Sequence, residues 1–400
     1  MTEGHVNKGG RMGIEGIFDR RYTRKGALGV GGAIGIGALL AACGGGGDGG
    51  SSSTAAAAID AASEPGGPIK IYEWAGYEAK EMWGNYLTGP YAADSPLKFT
   101  FLENDQQALA KVAAGTHFDI IHPCVAYTKD WLAAGLIQPW DTSLLPDFEG
   151  IPAGVREGGM IDGKTYHVPF DVGFSTLTYR ADKIQLAEGE ESWNILLDPA
   201  YKGKISIFSD DVAIIKIGHL INTGKPVDPN ILTTDEIQAA KETMIRAKPQ
   251  IRNFWNSQTD TVNDFVAGNV WATYTWPDGY YKIKTHASMK DVDVRYMWPK
   301  EGRLAWVCGF VLSSATKQPG RAHAAVAAAN TPAVAAWLTD AFQYGGAQQQ
   351  GVLDLIQNKD LITAFSLDDP TAFESPRAWF EKPLANRKEF VDAATEVKAA

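Results

Sequence analysis

The sequence predicts an α/β protein of two lobes, and three observations carry that prediction. Strand-like and helix-like segments alternate through most of the chain, as mainly parallel pairing requires. About 330 residues follow a glycine- and serine-rich stretch, more than one ordinary core holds. Two extended segments, His167 to Tyr179 and Trp306 to Ser313, read as a passage out of the first lobe and a passage back. Paired passages of this kind make a hinge.

At the N-terminus, Arg20-Arg21-Tyr22-Thr23-Arg24-Lys25 precedes a glycine- and alanine-rich run from Gly26 that ends in Leu40-Ala41-Ala42-Cys43. The arginine pair resembles a twin-arginine export signal, and Leu-Ala-Ala-Cys resembles a lipobox. The run is shorter than the ~20 apolar residues of a spanning helix. Residues 1–43 are therefore expected to be a processed signal, with Cys43 lipidated and the protein held outside the cytoplasm by an anchor rather than a span. Residues 44–68 are Gly, Ser, Ala and Asp with hardly a large apolar side chain. They are expected to be a flexible tether.

The first lobe is expected over 69–172. Ile69 to Tyr72 reads as a strand ending at Trp74. Leu97 to Phe101 is a second, and Phe118 to Ile121 a third that runs into His122-Pro123, with helical spacing from Gln106 to Ala114 between them. The second lobe is expected over 173–304. Lys204 to Phe208 is a strand. Thr233-Thr234-Asp235-Glu236 fits a capping box, and Ile237, Ala240, Met244 and Ala247 mark one helical face that Pro249 ends. Val270 to Thr275 is a strand entering Trp276-Pro277-Asp278-Gly279, read as a turn, and Val292 to Met297 is a strand entering Trp298-Pro299. Residues 305–400 are expected to return to the first lobe and end in its helices. One of these starts at Thr331-Pro332, an N-cap with proline in the first turn.

The formal charge is −10; residues 1–42 hold six basic and three acidic side chains, or +3, which leaves about −13 on the rest. An acidic exterior disfavours nucleic acid and suits cationic solutes. If Cys43 carries lipid, Cys124 and Cys308 remain. The default for each is a buried free thiol acting as a small hydrophobe, with a disulfide or a metal site with His122 as alternatives.

The chain from about Ile69 onward resembles the bacterial spermidine/putrescine-type solute-binding proteins of ABC importers. The resemblance rests on Tyr72-Glu73-Trp74-Ala75-Gly76-Tyr77, Phe118-Asp119-Ile120-Ile121-His122-Pro123 and Val168-Pro169-Phe170. It extends through Ser192-Trp193, Asp198-Pro199, Tyr201-Lys202-Gly203-Lys204 and Phe208-Ser209-Asp210-Asp211 to Trp298-Pro299-Lys300-Glu301-Gly302 and Trp306. It implies a two-lobed periplasmic-binding-protein fold of type II, a monomer that hands its solute to a membrane permease, with no enzymatic activity, cofactor or metal. A polyamine would lie between aromatic rings with its ammonium groups on carboxylates, an arrangement that gains cation–π energy and charge-assisted hydrogen bonds.

Carried over position by position, the resemblance implies Trp74, Tyr77, Trp276, Trp306 and Tyr344 as the ring walls and Asp211 as the amine-binding carboxylate. Cys124 and Cys308 fall on solute-lining positions. Asp278 either shapes a turn or faces the solute, Asp211 binds the amine, caps the helix after it, or does both, and Asp171 at the first passage is a further candidate. Gly76, Ile214 and Cys308 stand where the family places carboxylates. An ammonium left dry without a counter-charge is costly. The expected guest is therefore a diamine of putrescine type or a monoamine rather than spermidine. A quaternary ammonium, a zwitterionic amino compound, or a sensor role without transport are the alternatives. The sequence offers no nucleophile elbow, phosphate loop or metal-ligand spacing that asks for catalysis.

Overall fold

The computed structural model describes residues 59–187 and 189–400. The expected export signal, Cys43 and residues 44–58 of the expected tether lie outside the described residues. Within the described chain, the first strands and helices are β1 (Ile69–Glu73), α1 (Lys80–Leu87), β2 (Leu97–Phe101), α2 (Asp105–Ala113), β3 (Ile120–Ile121), α3 (Thr128–Ala133), β4 (Ile137–Gln138), α4 (Ala153–Arg156), β5 (Met160–Ile161) and β6 (Lys164–Thr165). The long strand β7 (His167–Arg180) leads to β8 (Ile205–Phe208), α5 (Asp211–Thr223), α6 (Thr234–Ala247), β9 (Ile251–Trp255), α7 (Gln258–Val266), β10 (Ala272–Thr275), α8 (Pro277–Thr285) and β11 (Val294–Tyr296). The chain returns along β12 (Arg303–Ser313) and finishes with α9 (Pro319–Ala329), α10 (Pro332–Phe342), β13 (Gly345–Gly346), α11 (Lys359–Phe365), β14 (Ala378–Phe380) and α12 (Arg387–Ala399).

The strand order β2-β1-β3-β12-β7-β10-β8-β9 explains the two lobes. At one end, β1 lies parallel between β2 and β3; at the other, β8 lies parallel between β9 and β10. Between them β7 and β12 run antiparallel, from His167 opposite Val311 to Ser175 opposite Leu304. The distal part of β7 then pairs with β10 and β11. These two strands are the crossing segments of a two-lobed type II fold. All of β7 but its last residue is buried, as a strand covered on both faces should be.

Alternation along β1 places Ile69 and Ile71 in the apolar cluster with α1, α9 and α10, and Tyr72 in the cluster on the opposite face with α2 and α3. In the second half, α5 and α6 cover the sheet through Ile214, Ile217, Ile237, Ala240 and Met244. The capping box of α6 is complete: Thr233 N–H donates to Glu236 at 2.8 Å and the Glu236 N–H donates to Thr233 Oγ1 at 3.3 Å.

Three expectations are corrected. The last helix does not join the first lobe: Phe390, Ala393, Ala394 and Val397 of α12 pack with α5 and α6, burying an apolar stripe that the second half leaves open. Residues 59–68 are docked rather than free. Glu64 accepts the Gly320 and Arg321 N–H groups at 2.5 and 2.9 Å in the first turn of α9, where a carboxylate meets the positive end of the helix dipole. Trp276-Pro277-Asp278-Gly279 is the start of α8 rather than a turn, with Trp276 at the N-cap and Pro277 in the first turn, where its missing N–H costs nothing.

Candidate functional site

In open α/β sheets, ligands collect beyond the carboxyl ends of the parallel strands. β1 ends into Trp74 and Tyr77, and β3 into His122 and Cys124. In the other half β8 ends into Asp210 and Asp211, β9 at Trp255 and β10 into Trp276 and Asp278. Sequence-selected residues from both halves therefore occupy the same kind of position.

On the first side the rings are linked. Trp306 meets Tyr344 edge to face at 5.3 Å, Tyr344 lies 6.2 Å from Phe342, and Phe342 lies 4.8 Å from Tyr77. The Trp306 indole lies so close to Gly173 of β7 that a Cβ there would come within 2.4 Å of it. On the second side Trp276 packs edge to face against Phe208 at 5.1 Å and Trp255 at 5.6 Å. Trp74, Trp276, Trp306 and Tyr344 are half-buried, unlike the fully enclosed Trp83 and Trp193.

Electrostatics link the halves. Burial, then the charges of Asp278 and Asp171, raise the Tyr344 hydroxyl well above its ordinary pKa, so Tyr344 feels a carboxylate of α8 and one of β7 together. The apolar seam beside it joins Val172 and Phe174 of β7, Pro277 of α8, Gly345 of β13 and Phe365 of α11.

The most distinctive feature is a buried ionic network. His122 Nδ1 lies 2.5 Å from Glu73 Oε1 and its Nε2 lies 3.1 Å from Asp171 Oδ1. Tyr77 Oη donates to Asp171 Oδ2 at 2.6 Å. Glu73, His122 and Asp171 are at most 2% exposed. Burial would lower the His122 pKa, but the charges and hydrogen bonds of Glu73 and Asp171 outweigh it and hold it up to about 10. Burial, then the neighbouring Asp171 charge, raises Tyr77 well above its ordinary value, which keeps it a donor. Burial raises the Glu73 carboxyl, against the lowering effect of the His122 charge and hydrogen bond. Sequence analysis brought out Tyr77 and Asp171, gave His122 only as a metal alternative with the cysteines, and missed Glu73. The available signal was a charged residue closing the apolar run Ile69 to Tyr72, together with a histidine at the end of the next strand.

Other selected residues are engaged differently. The Asp211 carboxylate is 2.7 Å from Lys398 Nζ of α12, so its charge already has a partner. Its neighbour Asp210 is the helix cap, accepting the Ala213 N–H at 2.6 Å. The buried Asp278 accepts Lys282 Nζ at 2.8 Å and two contacts from Gln258. Cys124 and Cys308 are not free thiols but a disulfide across 184 residues. The two residues form an antiparallel bridge beside a bulge in β12, which brings the sulfurs together. Asp105 accepts the Cys124 N–H at 2.9 Å, and burial raises its pKa to about 6. With His122 between carboxylates and the thiols oxidised, the metal alternative falls away; among the described residues no group of three or more His, Cys, Asp or Glu is arranged to hold an ion.

One bridging residue gave no sequence signal. Arg387 opens α12, on the second half, yet donates to Ala126 O at 2.7 Å and lies 4.0 Å above the Tyr127 ring and 3.7 Å from Asp130, all on the first.

A sequence profile of bacterial extracellular solute-binding proteins matches residues 99–364. The chain is 25% identical over 297 residues to the putrescine-binding periplasmic protein PotF of Escherichia coli, covering 70% of this chain and 78% of PotF. It is 22% identical over 294 residues to the putrescine-binding periplasmic protein SpuD of Pseudomonas aeruginosa, covering 69% and 77%. Among solved structures it superposes on the spermidine/putrescine ABC transporter substrate-binding protein PotD of Streptococcus pneumoniae with a TM-score of 0.66 at 16% identity, covering 83% of this chain and 98% of that one. It superposes on the TpPotD lipoprotein of Treponema pallidum with a TM-score of 0.67 at 15% identity, covering 84% and 100%.

Proposed function

Since the chain belongs to the family of bacterial extracellular solute-binding proteins, we propose that it captures a small amine between its lobes for an ABC importer permease. Membership makes it a binding protein rather than an enzyme. The further reading is a lipid-anchored monomer, exported through the twin-arginine signal and tethered at Cys43. Lobe 1 comprises 69–172 and the helices that follow the return crossing, and lobe 2 comprises 173–304 together with α12. The walls are Trp74, Tyr77, Trp306 and Tyr344 on one side and Trp276 on the other, with the Cys124–Cys308 disulfide on the floor.

The observation that carries this reading is the buried Glu73–His122–Asp171 network, two carboxyl groups on one imidazole, behind a row of linked rings. A cation entering beside Tyr77 and Tyr344 gains ring contacts and a counter-charge together. Asp278 of the other lobe contributes to the field on Tyr344, but like Asp211 it is already paired, with Lys282 at 2.8 Å, so it offers at most a shared second carboxylate. Asp211 is held by Lys398, and Gly76, Ile214 and Cys308 replace further carboxylates. One or two ammonium groups match this supply better than the three of spermidine. That the named relatives bind putrescine supports the class of solute.

Closure follows if the solute touches both lobes, since a ligand shifts a hinge only by its differential affinity for the closed state. Native mass spectrometry of the purified protein tests the reading. A bound amine of one or two charges, released on unfolding, is expected. No amine bound, with no change in tryptophan fluorescence on adding amines, would overturn it.

A further inference from the structure

Eight of the twelve indole N–H groups are either hydrogen-bonded within the protein or buried without an acceptor. Trp83 donates to Tyr77 O, Trp140 to Phe310 O, Trp193 to Gly302 O and Trp379 to Glu301 O, at 2.8 to 3.0 Å. These are structural tryptophans, and each satisfies its donor as a buried polar group should. Trp74, Trp255 and Trp306 also bury their N–H, but no acceptor in the protein reaches it. Two of these, Trp74 after β1 and Trp306 against Tyr344, belong to the walls of the proposed site; Trp255, at the end of β9, is enclosed in the core behind Trp276. Trp131, in the core behind the first sheet, shares their condition.

Unpaired acceptors lie beside these donors in the chain. Glu73 Oε2, next to Trp74, is buried without a partner while its other oxygen holds His122. Gln343 Oε1, next to Tyr344, is likewise unmet. The site thus presents unanswered donors as well as unanswered acceptors. An alkyl diamine answers only the acceptors. Its second ammonium would also meet the positive edge of an indole rather than its negative face.

We propose that the solute carries an oxygen acceptor, a hydroxyl or carboxylate, a short chain away from its ammonium, and that the indole N–H groups of Trp74 and Trp306 read that oxygen. The proposal rests on the amine-binding reading above and narrows its substrate class.

Three probes of one chain length separate the cases: putrescine, 4-amino-1-butanol and 4-aminobutyrate, titrated calorimetrically into the full protein. At least one oxygen-bearing probe is expected to bind about tenfold or more tightly than putrescine, the scale of one added hydrogen bond. Trp74→Phe and Trp306→Phe keep a ring and remove the N–H. Each is expected to weaken the oxygen-bearing probe more than putrescine and so narrow the gap, a split that general loss of folding would not produce. Putrescine binding as tightly as both others, or a gap unchanged in both variants, overturns the proposal and leaves the amine reading standing. Failure of all three probes and of spermidine overturns both.

Discussion

Replacing Asp171 by Asn tests whether the network below the proposed site is ionised. The substitution keeps the shape of the side chain and removes one of the two carboxylates around His122. Oδ1 can still accept from His122 Nε2, now 3.1 Å from Asp171, while the amide that replaces Oδ2 donates to the Tyr77 hydroxyl instead of accepting from it, so the Tyr77 proton loses its acceptor. An opposite charge this close shifts a pKa by roughly 1–3 units. The His122 pKa, held up to about 10, should therefore fall by about that amount, with Glu73 supplying the remainder. At about 1.4 kcal/mol per unit, two units come to about 3 kcal/mol, the lower end of the cost of breaking a buried pair.

The sign follows from linkage. His122 has a higher pKa folded than its ordinary 6.5, so its contribution is fully present below pH 6.5 and is lost as pH rises toward about 10. Glu73, raised mainly by burial, acts in the same direction above its ordinary range. Wild-type stability against urea should thus decline from pH 7 to 10, and Asp171→Asn should start lower at pH 7 and decline less steeply. Urea titration followed by tryptophan fluorescence reads the stability, and the His122 ring signals in NMR read the pKa directly. A wild-type His122 that titrates near 6.5, or a variant losing less than ~0.5 kcal/mol at pH 7, would refute the ionised network.

Four further outcomes are expected. Cys124→Ser with Cys308→Ser opens a crosslink across 184 residues and should cost about 2–5 kcal/mol in denaturant unfolding under oxidising conditions. Arg387→Ala removes the contacts to Ala126, Tyr127 and Asp130 and should favour the open form, seen as a larger radius of gyration in solution scattering and a several-fold weaker amine affinity. Gly173→Val drives a side chain into the Trp306 indole and should cost about 1–3 kcal/mol, with loss of the fluorescence response to amines. Asp211→Asn should change amine affinity in calorimetry by less than about twofold, because a partly exposed pair with Lys398 already answers its charge; a tenfold loss would return Asp211 to the site.

Local signals made much of the fold legible. The strand at Leu97–Phe101, the capping box at Thr233–Glu236 and the Thr331-Pro332 helix start are decided by residues within one or two turns of each other, and the structure keeps all three. The crossing segments were legible as long extended runs, although β7 alternates apolar Val168, Phe170, Val172 and Phe174 with polar or small residues and is buried on both faces all the same. The fate of α12 was not legible, since an amphipathic stripe shows that a helix must dock and not where. Docked residues 59–68 were hidden for a related reason. A segment with hardly a large apolar side chain has little burial signal, and here the ties are polar: Glu64 accepts two backbone donors of α9, Ala61 O accepts from Arg321, and Gly67 is held by Asp94 and Gln318.

The site divides along the same line. Aromatic positions could be proposed one by one from their order along the chain, because a ring keeps its character whatever folding places beside it. The charges could not, because a carboxylate's role depends on which cation folding places beside it. Asp211 looked available until α12 brought Lys398 to 2.7 Å. Glu73 looked like an ordinary strand-end acid until β3 and β7 enclosed it with His122 and Asp171, residues 49 and 98 positions away. On the proposed reading, Gly76, Ile214 and Cys308 offer no carboxylate to the outer walls of the seam, and the buried acids lie at its hinge beside His122, with Asp171 on the crossing strand. A solute held there by one ammonium leaves its other end to the indoles. For that reason the probes that differ only at that end are the ones that identify the guest.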